Sequence, residues 1–267
     1  MIYLLLIESI SRTSSLFVKQ LTSPFSFRHN LLVPYLKQSK LQRRPINLDG
    51  VRSQIMFTQW CWNSLTLSFF LSGIVTLQSA YNDAHDSNDV IISPFIHQII
   101  LRCAILSFEI AGPTSMLVST VTKYALWPQS LKSPRGSGNL RKPVALIQHN
   151  ANIIASLLEV GVLGRIAVRW EDVVIAPAYG CIYVLFMWSL KDHLVESKEP
   201  QFIYFFFDTT LGRTWSISVL LGLLAILLVF YSVFTLVDDI LLWMGGGIVT
   251  NAVMVGTFAS IFCRFKD

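Results

Sequence analysis

His149, Asn152, Ser156 and Glu159 recur along one apolar stretch, at offsets of 3, 7 and 10 from the histidine. On a helix of about 3.6 residues per turn these offsets fall on a single stripe. A face carrying an imidazole, an amide, a hydroxyl and a carboxylate does not favour lipid, so it should point into a helical bundle. His149 is a candidate base near neutral pH. A histidine near a helix end can equally bond a lipid headgroup or a backbone carbonyl, and the stripe alone leaves both readings open. Glu159 lies about 15 Å along the axis from His149, too far for direct contact. Its natural partner is a group on a neighbouring helix, and Glu109 is one at suitable depth. Two carboxylates there would share a proton or hold a cation; Arg102 is an alternative partner, and a purely structural bond between helices is a third. Thr58 is the other candidate, because a threonine hydroxyl becomes a nucleophile only beside a base.

These residues need a scaffold, and composition says which kind. Of 267 residues, 53% are hydrophobic and 14% charged, and mean hydropathy is +0.54. Soluble domains carry about 25% charged residues. A bilayer core asks for about 20 consecutive apolar residues per helix, and the chain supplies several such runs. The expected fold is all-α, a polytopic transmembrane bundle of about six spans: 57–77, 103–127, 144–163, 173–190, 215–237 and 240–262. Pro143 suits the first turn of the third span, where its missing N–H costs nothing. The run 215–262 is too long for one helix, and Asp238–Asp239 are expected to mark a tight turn within it. Ala252, Gly256 and Ser260 form a small-residue row on the last span that would allow close helix approach.

Six spans with both termini cytosolic place most Lys and Arg on one side. These are the N-terminal tail, Lys132, Arg135, Arg141, Lys142, Lys191, Lys198, Arg213, Arg264 and Lys266. The opposite loops hold Asp83, Asp86, Asp89, Asp238 and Asp239, with Arg165 and Arg169 between spans 3 and 4. That asymmetry is the positive-inside pattern. It puts Thr58, opening span 1, and His149, near the start of span 3, on the same side at similar depth.

Residues 1–53 form a separate basic, Ser/Thr-rich segment, and residues 54–264 the transmembrane domain. The segment reads as an organelle-targeting presequence, as a disordered cytosolic tail, or as residues ahead of a true start at Met56. The net charge of +5 does not imply nucleic acid, because the cations lie in flanks and alternate loops and form no aromatic-interleaved patch. Cys61, Cys103, Cys181 and Cys263 are far apart and suit packing better than zinc or a disulfide framework. No phosphate-binding loop, dinucleotide fingerprint, zinc-protease or serine-elbow motif occurs. No metal or cofactor is expected. The partners expected are membrane lipids.

Four patches resemble the androgen-induced-gene family of multi-pass membrane proteins, which extends to the rolling-stone proteins. They are Phe57-Thr58-Gln59-Trp60; Phe108-Glu109-Ile110-Ala111 with Tyr124-Ala125-Leu126-Trp127-Pro128; His149-Asn150-Ala151-Asn152 with Glu159 ten positions after the histidine; and Gly180-Cys181-Ile182-Tyr183 with Tyr204-Phe205-Phe206-Phe207-Asp208. The likeness covers about residues 57–237. It implies a threonine-dependent hydrolase of lipid esters, such as fatty acid esters of hydroxy fatty acids. Thr58 would be the nucleophile, His149 the base, and Asn150 or Asn152 the oxyanion donor. The first family span has no counterpart in residues 1–53, and span 6 is an addition. The membrane expected is the endomembrane system, the endoplasmic reticulum or plasma membrane, unless the N-terminal segment directs the chain to another organelle. Two other classes compete: a non-catalytic scaffold or fusion factor of the rolling-stone type, and a small transporter using Glu109 and Glu159. The sequence does not fix the oligomeric state.

Overall fold

The computed structural model describes residues 30–31, 36–42, 44–48, 50–84, 93–131, 140–163, 166, 168–195, 199–243 and 247–266. They form an all-α bundle. A helix α1 spans Phe57–Ala84, and α2 spans Pro94–Val121, continued by a π-turn at Thr122–Leu126. Next come α3 (Pro143–Leu163, with π-turns at Ile147–Ala151 and Glu159–Leu163), α4 (Ile175–Leu190), α5 (Arg213–Trp243) and α6 (Ile248–Phe262). Five of the helices are long and apolar enough to cross a membrane, whereas α6 has 15 residues, about 22 Å of helix against a hydrocarbon core of about 30 Å. Large apolar side chains face outward along the bundle, among them Phe70, Ile182, Leu185, Leu221, Val229 and Val253, as lipid-facing helices require.

Local chemistry explains the helix starts. Ser93 caps α2 by accepting the Ile96 N–H, and Pro94 occupies the first turn. The cap extends this helix nine residues ahead of the expected Cys103. Pro143 opens α3 as expected. The turn expected at Asp238–Asp239 is not there: α5 runs through both aspartates to Trp243, and α6 begins only at Ile248. The reason is that neither carboxylate meets lipid unpaired. Asp238 accepts the Val168 N–H at 3.0 Å, and Asp239 accepts the Trp170 indole N–H at 3.2 Å.

α2 is the central helix. Its buried face, Ser107 to Ser119, meets α1, α3, α4 and α5. Gly112 permits the close approach of α5: a Cβ there would lie 2.6 Å from the Phe234 ring. α6 runs back beside α3, with Asn251 bonded to the Gly161 carbonyl at one end and Arg264 to Asn150 at the other. The start of α1, the start of α3 and the end of α6 therefore share one end of the bundle. The small-residue row Ala252, Gly256 and Ser260 is exposed, while Asn251, Val255 and Phe262 make the packed face of α6.

Most of the segment 1–53 lies outside the described residues, and the targeting reading with it. Its described part is attached to the bundle. Asn30–Leu31 pairs antiparallel with Ile46–Asn47, Ile46 and Leu48 are buried beside Phe202 and Ile203, and Arg44 holds Glu199 through two hydrogen bonds.

Candidate functional site

The first turns of α1 present two faces. Phe57 and Trp60 pack on the aromatic side of α4, with ring centroids 4.8 Å apart for Phe57–Tyr183 and 5.1 Å for Trp60–Tyr183. The other face meets α3. Trp62 donates its indole N–H to the Gln148 carbonyl at 3.1 Å, and the Cys61 sulfur lies 3.5 Å from the Asn152 amide. Thr58 precedes Cys61 by three residues and Trp62 by four. At about 100° per residue its side chain projects between theirs, on the face turned to α3. It is 6% exposed.

His149 sits on the π-turn of α3, a backbone irregularity that recurs at functional sites. Its carbonyl accepts a hydrogen bond from Ser119 of α2. Its Nδ1 is buried and has no hydrogen-bond partner among the described residues. The contacts of Cys61 and Trp62 bracket His149 in height, so Thr58 lies within about 5 Å of it along the bundle axis. No hydrogen bond joins the two side chains among the described residues. Asn152 and Ser156 are fully buried, as the stripe requires, and Glu159 is half-buried. Cys61 links this layer to α2, 3.1 Å from the Ser115 hydroxyl. Asn150 is engaged elsewhere: its amide nitrogen donates to the Arg264 carbonyl at 2.9 Å and its oxygen accepts the Arg264 N–H at 3.2 Å. Asn152 is likewise held, its oxygen accepting the Ile153 N–H at 2.9 Å.

A second polar layer lies toward the other end. Glu109 is completely buried. One of its oxygens accepts the Arg169 N–H at 2.9 Å, and its carboxyl meets that of Asp172. Asp172 binds Arg102 at 2.6 Å. Tyr231 donates to the Arg169 carbonyl at 2.6 Å, beside the Asp238 bond to Val168. Irregular backbone inside a membrane bundle must be satisfied by protein groups, and Glu109, Tyr231 and Asp238 do this for the α3–α4 connection. Glu109 thus meets this connection, and Arg102 joins it through Asp172. Among the described residues, Glu109 Oε2, Asp172 Oδ2 and Arg102 Nη1 have no hydrogen-bond partner.

Asp172, Tyr231, Asp238 and Cys61 belong to these layers, and the sequence reading did not single them out as site residues. Their signal was polarity inside or beside an apolar run. Among the described residues, no group of three or more His, Cys, Asp or Glu side chains could hold a metal ion. Comparison of the chain with protein-family models, curated proteins and solved structures finds no match.

Proposed function

We propose that this membrane-spanning bundle is an intramembrane hydrolase of lipid esters, such as fatty acid esters of hydroxy fatty acids, with Thr58 as nucleophile and His149 as base. The observation that carries it is a buried imidazole nitrogen without a hydrogen-bond partner among the described residues, on the stretch of α3 that meets Cys61 and Trp62, one turn from the buried Thr58. In this reaction Thr58 Oγ1 attacks the acyl carbonyl and its proton passes to His149. The alkoxide of the ester leaves and takes that proton. Water, deprotonated by the same imidazole, then releases the fatty acid and restores the threonine. Asn150 and Asn152 each give one amide proton elsewhere, to the Arg264 carbonyl and to Cys61 Sγ, and each retains a second that an oxyanion could take.

The test is turnover of a panel of lipid esters by membranes containing wild type, Thr58→Val, Thr58→Ser or His149→Ala at equal abundance. Valine keeps the shape of threonine and removes the hydroxyl. Turnover lost with valine and alanine but retained in part with serine is the expected result. Turnover unaffected by Thr58→Val excludes the proposed nucleophile.

A small transporter is the second reading, favoured by the buried Glu109 beside the half-buried Asp172, each with one oxygen that lacks a donor among the described residues. Flux of protons or monovalent cations into proteoliposomes that disappears in Glu109→Gln would displace the hydrolase reading.

A further inference from the structure

The end of α6 lines an open groove of about 620 Å³, with Lys123, Gly256, Ala259, Ser260, Arg264 and Lys266 among its residues. We propose that this groove binds an anionic phospholipid from the surrounding membrane, its phosphate held by Lys123, Arg264 and Lys266 and one acyl chain laid along Gly256.

Charge is the first ground. Among the described residues, none of the three cations has a carboxylate within ion-pair distance. Lys123 gives two of its three ammonium protons to the carbonyls of Ser260 and Ile261, at 2.7 Å each, and retains one donor. The Arg264 guanidinium stacks over Trp127 at 5.2 Å, and its Nε donates to the Lys266 carbonyl. Its two terminal nitrogens remain to grip a phosphate in the paired fashion guanidinium favours. The C-terminal end of a helix is the wrong pole for an anion, but it carries only about half an elementary charge. Lys123 and Tyr124 already cap those carbonyls. Three full positive charges outweigh it, even with the carboxylate of Asp267, next to Lys266 in the sequence, set against them.

Depth and shape are the second ground. The groove sits where an apolar helix ends, the level at which headgroups lie. Exposed aromatics, Tyr124 and Phe265, flank it, as at membrane interfaces. Gly256 continues the groove toward the apolar part of α6, and a Cβ built there meets nothing within 4 Å. The small-residue row Ala252, Gly256 and Ser260 is exposed, so an acyl chain can lie close along the helix there.

The test counts lipids retained by the full-length protein by native mass spectrometry. The protein is extracted from vesicles of phosphatidylcholine alone or of phosphatidylcholine with phosphatidylserine. The variants are the double substitution Arg264→Gln/Lys266→Gln and Gly256→Leu, which puts a branched side chain where the acyl chain would lie. Thermal melting in phosphatidylcholine alone confirms that each is folded. Wild type should retain one phosphatidylserine, the double variant should bind it about thirtyfold more weakly, at roughly a tenfold loss for each 1.4 kcal/mol, and Gly256→Leu should also bind it more weakly. Equal retention by wild type and the double variant overturns the proposal. So does inorganic phosphate protecting wild type as well as phosphatidylserine does, which marks a site for a free anion. A change of oligomeric state in Gly256→Leu, with lipid retention unaltered, assigns the face to a second copy of the chain and overturns it too.

Discussion

Glu109 offers a substitution pair whose outcomes diverge. Its carboxyl is completely buried, accepts the Arg169 N–H at 2.9 Å, and turns its second oxygen to Asp172. Glu109→Gln preserves the first bond through the amide oxygen. It also gives Asp172 a donor, through the amide nitrogen, at the place of the second carboxyl oxygen. The Arg102–Asp172 pair at 2.6 Å is untouched. The glutamine variant should therefore melt within about 0.5 kcal/mol of wild type, or above it. Glu109→Ala leaves the Arg169 N–H without an acceptor inside the bundle. A buried orphan of this kind costs about 1–3 kcal/mol, which for a chain of this size lowers the melting temperature by about 4–8 °C at the middle of the range. The assay is thermal unfolding in a mild detergent, both variants against wild type at one pH. Equal loss in the two variants would refute the reasoning. It would mean that the ionised carboxylate, opposing Arg102, holds the connection and the hydrogen-bond pattern does not.

Gly112→Ala forces a Cβ to 2.6 Å from the buried Phe234 ring, which also packs against Phe108; overpacking of this kind costs about 1–3 kcal/mol, read as a lowered melting temperature with Gly256→Ala unchanged as the control. Asp238→Ala should cost about 1–3 kcal/mol by orphaning the Val168 N–H, while Asp238→Asn keeps the acceptor and should melt near wild type. Burial pushes the Cys263 thiol up to about 11, against the pull of Lys123. The thiolate is the reactive form, so maleimide labelling of Cys263 should be slow at pH 7 and rise about tenfold per pH unit until pH nears 11. Asn150→Ala releases the adjacent Arg264 backbone and should speed that labelling at fixed pH.

The sequence made the bundle legible where hydropathy alone decides, and failed where polar groups are paid for by partners distant in the chain. Spans 3 and 4 start and stop within two residues of expectation, because Pro143, Arg141 and the charged 165–172 connection punctuate them. The division of the last apolar run was misplaced because two adjacent aspartates look intolerable in lipid. Their partners, Val168 and Trp170, are some 70 positions away, and no local pattern announces them. The glycine run 245–247 was the better local sign, since glycine favours helix ends. The stripe on α3 predicted the burial of Asn152 and Ser156, but not that Asn150 would be taken by the chain's last residues. The small-residue row was read as a packing face, yet spacing does not say which way a row points. Asn251 decides that here, by bonding the Gly161 carbonyl from the other side of α6.

The two polar layers also set up a discrimination that neither could provide alone. On α2 the first layer is anchored at Ser119 and the second at Glu109, ten residues apart, or about 15 Å. Between them the helix buries Ala111, Gly112, Pro113 and Met116, and of its two buried hydroxyls there Thr114 donates to carbonyls of its own helix, at Ile110 and Ala111, while Ser115 faces Cys61 of the first layer. Sites this far apart with no shared partner should respond to substitution independently. A hydrolase built on Thr58 and His149 then predicts that Glu109→Gln leaves ester turnover intact while Thr58→Val abolishes it. A transporter built on Glu109 predicts the converse for flux. If Glu109→Gln and Thr58→Val each abolish the same activity at normal melting temperature, the layers are coupled, and both single-layer mechanisms fail together.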